Sequence, residues 1–134
     1  IASQDKTIFE IITLASIVED EVLTLEDKKI AAGIFYTRME NGIPLESDAT
    51  VNYITGKGAL QPTFADTEIQ HPYNTYENRG LPPGPISNPG MDSIKAAIYP
   101  TDTDYLYFLT KPDGTTVFSK TFDEHLTNKA KYLD

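Results

Sequence analysis

Between Thr55 and Pro89 the chain loses hydrophobic periodicity, and six of its nine prolines fall there, among dense Gly, Asn and Tyr. Proline fixes φ and has no N–H to give, so a stretch of this composition supports neither a long helix nor a central strand. Irregular segments of such length inside a small domain are either functional or disordered. The aromatic residues Phe64, Tyr73 and Tyr76 within it favour function. The regular elements must therefore come from the two flanks, and any ligand site is expected around the Pro/Gly-rich loop between them.

On the N-terminal side, Asp5 is placed to cap a helix from about Lys6 to Val22, with a break around Leu23 and Thr24. A second helix fits Leu25 to Glu40, where Ile30, Gly33, Ile34 and Met39 recur near helical spacing and Asn41-Gly42 supplies the stop. The pair is expected to be antiparallel, with a short third helix over Asp48 to Tyr53. On the C-terminal side, Asn88-Pro89-Gly90 leads into a helix from about Met91 to Tyr99, ended by Pro100. Tyr105 to Thr110 and Thr116 to Ser119 flank the turn composition Lys111-Pro112-Asp113-Gly114 and predict a β-hairpin. A last helix covers about Phe122 to Leu133. The expected fold class is α+β, mostly helical, with one small sheet, in a single domain over residues 1–134.

Composition removes several functions. A formal charge of −9 and a pI near 4.6 argue against nucleic acid as a partner. The chain has no cysteine, which excludes disulfides, thiolate metal sites and cysteine nucleophiles. His71 and His125 stand far apart with no zinc-binding spacing and read as ordinary surface or loop histidines, so no metal is expected. Gly56-Lys57-Gly58 lacks the rest of a phosphate-binding loop, Ser16 and Ser47 lack a glycine-flanked elbow, and Asp102-Thr103-Asp104 lacks the glycine and final glutamate of a calcium loop. No apolar run approaches the roughly 20 residues of a membrane span. The chain opens at Ile1 rather than Met and is expected to be a fragment of a longer protein.

LASIVEDEV, Leu14 to Val22, carries three consecutive acids at a helix end. With Ala15 at zero and about 100° per residue, Ile8, Ile11, Ile12, Val18 and Val22 form one stripe, Glu19 falls inside it at roughly +40°, and Asp20 and Glu21 fall on the far side. A carboxyl on an apolar face has its pKa raised by desolvation, the property of a general acid. A frayed helix end, or pairing of Glu19 with a buried Arg or Lys, is the ordinary alternative. Three further segments stand out: ESDATV, Glu46 to Val51, with Ser47 and Asp48 at a helix start where capping is the simplest role; YNTY, Tyr73 to Tyr76, clustering two phenols and an amide as a carbohydrate or peptide site requires; and GLPPGPISNPG, Gly80 to Gly90, a rigid wall of little bulk.

The ordered set LASIVEDE, RMENGIPLESDATV, YNTYENRGLPPGPISNPG, SIKAAIYP and TDYLYF resembles the catalytic domain of the endolytic murein transglycosylases, the YceG-like family, from about Leu14 to the C-terminus. The resemblance implies a lysozyme-like bacterial domain that cuts peptidoglycan glycan strands without water or cofactor. One carboxylic acid protonates the glycosidic oxygen between MurNAc and GlcNAc, then takes a proton from the muramic 6-hydroxyl as that oxygen closes on C1, leaving a 1,6-anhydro end. It assigns this role to Glu19. Candidate substrate contacts are Ser47, Asp48, Tyr73, Asn74, Tyr76 and Asn88. It further implies a single-pass membrane anchor elsewhere in the protein, this domain facing outside the cytoplasm, and cell-wall synthesis proteins as partners. Asp20, at a position often basic in the family, and Ala49, in place of a usual proline, depart from the pattern. A hydrolase using Glu19 and Asp48 and a non-catalytic glycan-binding module are the rival readings. Aminodeoxychorismate lyase, a label given to some relatives, finds neither a phosphate-binding glycine loop nor an evident Schiff-base lysine here.

Overall fold

Thr7, not Asp5, starts the first helix: its hydroxyl accepts from Glu10 N while Glu10 returns a bond to Thr7 N, a reciprocal capping box. Asp5 ends a short 3₁₀ turn, Ala2–Asp5. The computed structural model describes residues 2–57 and 62–133. Its helices are α1 Ile8–Glu21, α2 Leu25–Glu40, α3 Asp48–Thr55, the single-turn α4 Phe64–Thr67, α5 Met91–Ile98 and α6 Phe122–Tyr132. Strands β1 Tyr107–Thr110 and β2 Thr116–Ser119 pair antiparallel, with Phe108 opposite Phe118. Threonine caps recur at Thr24, Thr63 and Thr121, each accepting from the N3 amide and so satisfying one of the orphan donors of its helix. Among the described residues the architecture is α+β, six α-helices and one two-stranded sheet.

The core forms where α5 packs on both α1 and α2. Ala31, Ala32, Ala96 and Ala97 are fully buried, and their small size lets the helices approach closely around Leu14, Ile17, Val18 and Phe35. Tyr36 Oη crosses this contact to donate to Ala97 O at 2.7 Å. Helix α1 is enclosed on every side from Thr13 to Val18, and its two interior hydroxyls are satisfied within it or by the loop. Thr13 donates to Phe9 O, and Ser16 to Thr13 O. At the N-terminal end the expected stripe fails: Ile8 is 84% exposed.

The Pro/Gly-rich segment is irregular except for α4, and residues 58–61 lie outside the described part. Its second half is tied to α1, since Ile86 N donates to Ser16 Oγ at 3.0 Å and Ser87 Oγ donates to Ser16 O at 3.0 Å. The hairpin is held to α2 by Arg38, whose buried guanidinium donates to Leu106 O and Pro44 O and lies 4.8 Å from the Tyr107 ring. Phe108 meets Phe35 edge-on at 5.7 Å. These ties bring the end of α1, the start of α3, the hairpin and α6 around one cavity.

Candidate active site

That cavity, about 1060 Å³, is lined by Glu21, Asp48, Ala49 and Tyr76 on one side and by Tyr107, His125 and Lys129 on the other. Glu21 is the last residue of α1, and its Oε1 reaches the start of α3. It accepts from Ser47 Oγ at 2.7 Å and from Ala49 N at 2.9 Å. Burial, then the neighbouring Asp48 charge, pushes the Glu21 carboxyl up to about 7, against the two hydrogen bonds that favour its ionised form. Asp48 is itself pushed upward by burial, with Tyr76 Oη donating to its Oδ1 at 2.5 Å. The phenol is raised in turn, first by burial and then by the Asp48 charge, so it stays a donor. Glu21, titrating at about 7 and facing the cavity, can deliver and recover a proton near neutral pH.

Glu19 does something else. Its Oε1 accepts from Gly90 N at 2.9 Å and Ser93 Oγ at 2.8 Å, and stands 3.5 Å from Lys28 Nζ. Gly90 is the N-cap of α5 and Ser93 lies in its first turn, so Glu19 caps α5 from a neighbouring helix. Lys28, only 6% exposed at its side chain, also donates to Ser93 Oγ. The Gly90 amide and Ser93 hydroxyl hold the Glu19 carboxyl below its usual value. The raised pKa expected from its helical angle is thus corrected, and the ordinary alternative, pairing with a buried lysine, is what the chain adopts. Glu19 is absent from the cavity lining.

Helical angle failed for Glu21 because α1 is buried on every side from Thr13 to Val18, just before the acids. Where a helix has no continuous solvent face, the angle does not tell which acid meets water. The continuous burial pattern through Thr13 and Ser16 was the available signal, but those polar residues concealed it.

The other expected site residues divide. Asp48 and Tyr76 line the cavity, while Ser47, 2% exposed, spends its hydroxyl on Glu21. Tyr73 stands behind the wall, its ring 5.1 Å from that of Tyr53, which does line the cavity. Asn74 is fully buried: its amide nitrogen donates to Thr67 O and Ile69 O, and its oxygen accepts from Tyr76 N. It therefore braces its own loop and has no exposed surface for a ligand. Asn88 is exposed, two residues from Gly90, and is not part of the lining. His125 is not a loop histidine but lies on α6, stacked 5.2 Å from Tyr107, with burial lowering its pKa. Among the described residues no three His, Asp or Glu side chains converge to hold a metal.

An α+β domain with a raised glutamic acid in a cleft has the geometry that acid–base chemistry requires. The YceG-like family matches residues 1–131 of this chain, and the chain belongs to that family. It is similar to the endolytic murein transglycosylase of Bacillus subtilis, with 46% identity over 127 residues, 95% of this chain and 35% of the relative. The Streptococcus pneumoniae endolytic murein transglycosylase is 36% identical over 140 residues, covering all of this chain and 25% of the relative. The crystal structure of a YceG-like protein from Listeria monocytogenes superposes with a TM-score of 0.87 at 44% identity, over 94% of this chain and 41% of that one. The chain thus spans about a third of the curated Bacillus relative.

Proposed function

We propose that this domain cuts peptidoglycan glycan strands as a lytic transglycosylase, with Glu21 as acid and then base. The observation that carries the reading is the Glu21 carboxyl, poised at about 7 and facing the cavity. Protonated Glu21 gives its proton to the oxygen linking MurNAc to GlcNAc, and the C1–O bond breaks. Positive charge developing at C1 is met by the Asp48 carboxylate, oriented by Tyr76. Glu21, now a carboxylate, accepts the proton of the muramic 6-hydroxyl as that oxygen bonds to C1, leaving a 1,6-anhydro end and a regenerated acid. A group titrating near 7 is populated in both forms at neutral pH, as this alternation needs. Glu19 is committed to the α5 cap, where the Gly90 amide and Ser93 hydroxyl hold its carboxyl below the usual value. The names of the Bacillus and Streptococcus relatives support the substrate and the reaction class. As part of the same reading, the domain works outside the cytoplasmic membrane within a longer anchored protein.

The proximity of Asp48 to Glu21 favours one second reading, hydrolysis with Asp48 activating water. Mass spectrometry of fragments released from purified peptidoglycan separates the two: anhydromuramic ends are expected, and reducing ends alone would indicate hydrolysis. Glu21→Gln keeps shape but cannot donate the proton, so cutting should fall by at least about a hundredfold. Glu19→Gln should still cut, but melt at lower temperature. Wild-type cutting by Glu21→Gln would overturn the assignment.

A further inference from the structure

Ser47 is the N-cap residue of α3, yet its hydroxyl makes no bond to its own helix. It is turned onto Glu21 instead, and Glu21 takes over the capping of α3 by accepting from Ala49 N. A serine so placed needs its backbone fixed, and one buried side chain does this. Thr75 Oγ1 accepts from Ser47 N at 2.8 Å and lies 2.9 Å from Thr50 Oγ1, which donates to Ser47 O at 2.8 Å. Thr75 O also accepts from Glu46 N at 3.2 Å. Thr75 therefore receives two consecutive amides of the chain entering α3, where Glu46 holds a left-handed φ of 52°, a backbone state that a glutamate adopts only when its surroundings impose it. Ser47, Thr50 and Thr75 are each at most 2% exposed, so water does not substitute for these bonds. The neighbouring Tyr76 meanwhile orients Asp48.

We propose that Thr75 is a positioning residue for the reaction, acting through Ser47 to aim and tune the Glu21 carboxyl, and that the Thr75-Tyr76 pair sets both carboxyls from one rigid segment. This rests on the reading of Glu21 as the acid. A single loop then fixes the acid and its charged neighbour relative to one another, a requirement of any step in which both act on the same sugar ring.

The test is Thr75→Val, which keeps the shape and removes the hydroxyl, with Thr75→Ser as the variant that restores it. Two readouts are needed: carbon-13 NMR titration of the Glu21 carboxyl, and kcat and KM for cutting of peptidoglycan strands. In Thr75→Val the Ser47 bond to Glu21 loosens. That bond favours the ionised form, so the titration midpoint should move up by about half a pH unit or more, and kcat should drop about tenfold with KM within about twofold. Thr75→Ser should return both to wild type. A folded Thr75→Val whose Glu21 titrates as in wild type overturns the proposal, as does lost activity with an unmoved midpoint. If Thr75→Val does not fold, Thr75→Cys, whose thiol accepts hydrogen bonds weakly, carries the same test. Should wild type cut no glycan at all, the catalytic reading fails while the titration still decides whether Thr75 controls Glu21.

Discussion

A half-buried acid with a raised pKa is a stability cost once it ionises, and Glu21 makes that cost measurable. Its folded pKa of about 7 lies above the 4.5 of an unfolded glutamate. The folded state therefore binds its proton more tightly, and stability falls as pH rises from about 4.5 to about 7. Beyond that range the full penalty applies, on the order of 3 kcal/mol. Glu21→Gln should remove it: denaturant unfolding is expected to show the variant more stable than wild type at pH 8 and nearly equal at pH 4. Equal stability at both would mean that Glu21 is not desolvated as described. Glu19 carries the opposite sign, since a depressed carboxyl stabilises above its unfolded pKa and stops doing so as pH falls through the folded one. Glu19→Ala should cost about 1–3 kcal/mol at pH 7, because Lys28 and the α5 cap lose their partner. That the sequence pointed to Glu19 and not Glu21 follows from the single stripe assumed for α1. Helical angle ranks residues only when one face meets water.

Elements were read far better than the acids. The bounds of α2 were legible to the residue, as was the start of α5 after Asn-Pro-Gly, because caps and breakers are local chemistry. The first cap was misplaced from Thr7 to Asp5, since both are capping residues and only Thr7 has the Glu10 partner three positions on. One close contact between elements yields a sharp prediction. At Gly33, in the middle of α2, a Cβ would collide with the Thr101 carbonyl oxygen, and Thr101 N is bonded to Lys29 O at 3.0 Å. Alanine in place of glycine gains about 1 kcal/mol of helix propensity. The collision is with backbone rather than a movable side chain, so it should win. Gly33→Ala should lose about 1–3 kcal/mol in thermal or chemical unfolding, and a stabilised Gly33→Ala would show that the segment after α5 is free to move.

Across the whole molecule, stability is uneven in a way that matches the placement of the cavity. Helix α1 is enclosed by α2, α3 and α5, whereas α6 has no buried residue and packs mainly on the hairpin. Native-state hydrogen exchange should therefore show α6 amides exchanging through local opening long before those of Leu14 to Val18. Uniform protection of both helices would contradict this hierarchy. Phe122, His125, Leu126 and Lys129 of α6 form one wall of the cavity, so the element without a buried residue faces Glu21. Above pH 7, kcat/KM for strand cutting should fall about tenfold per pH unit as Glu21 loses its proton in the free protein.

Taken alone, the sequence determined the α+β class, the order of the elements apart from the short Ala2–Asp5 turn and α4, and the largely irregular loop, since breakers, caps and periodicity act within a few residues. It also marked Asp48 and Tyr76, which do line the cavity. Only the tertiary structure decided which of three adjacent acids is pushed furthest upward and which is held down: burial raises both Asp20 and Glu21, whereas hydrogen bonds lower Glu19. That choice depends on what each carboxyl meets across the fold: the α5 amide and Lys28 for Glu19, the buried start of α3 for Glu21. A pKa is set by such distant neighbours and by exclusion of water, and neither is written in the spacing of residues along one helix.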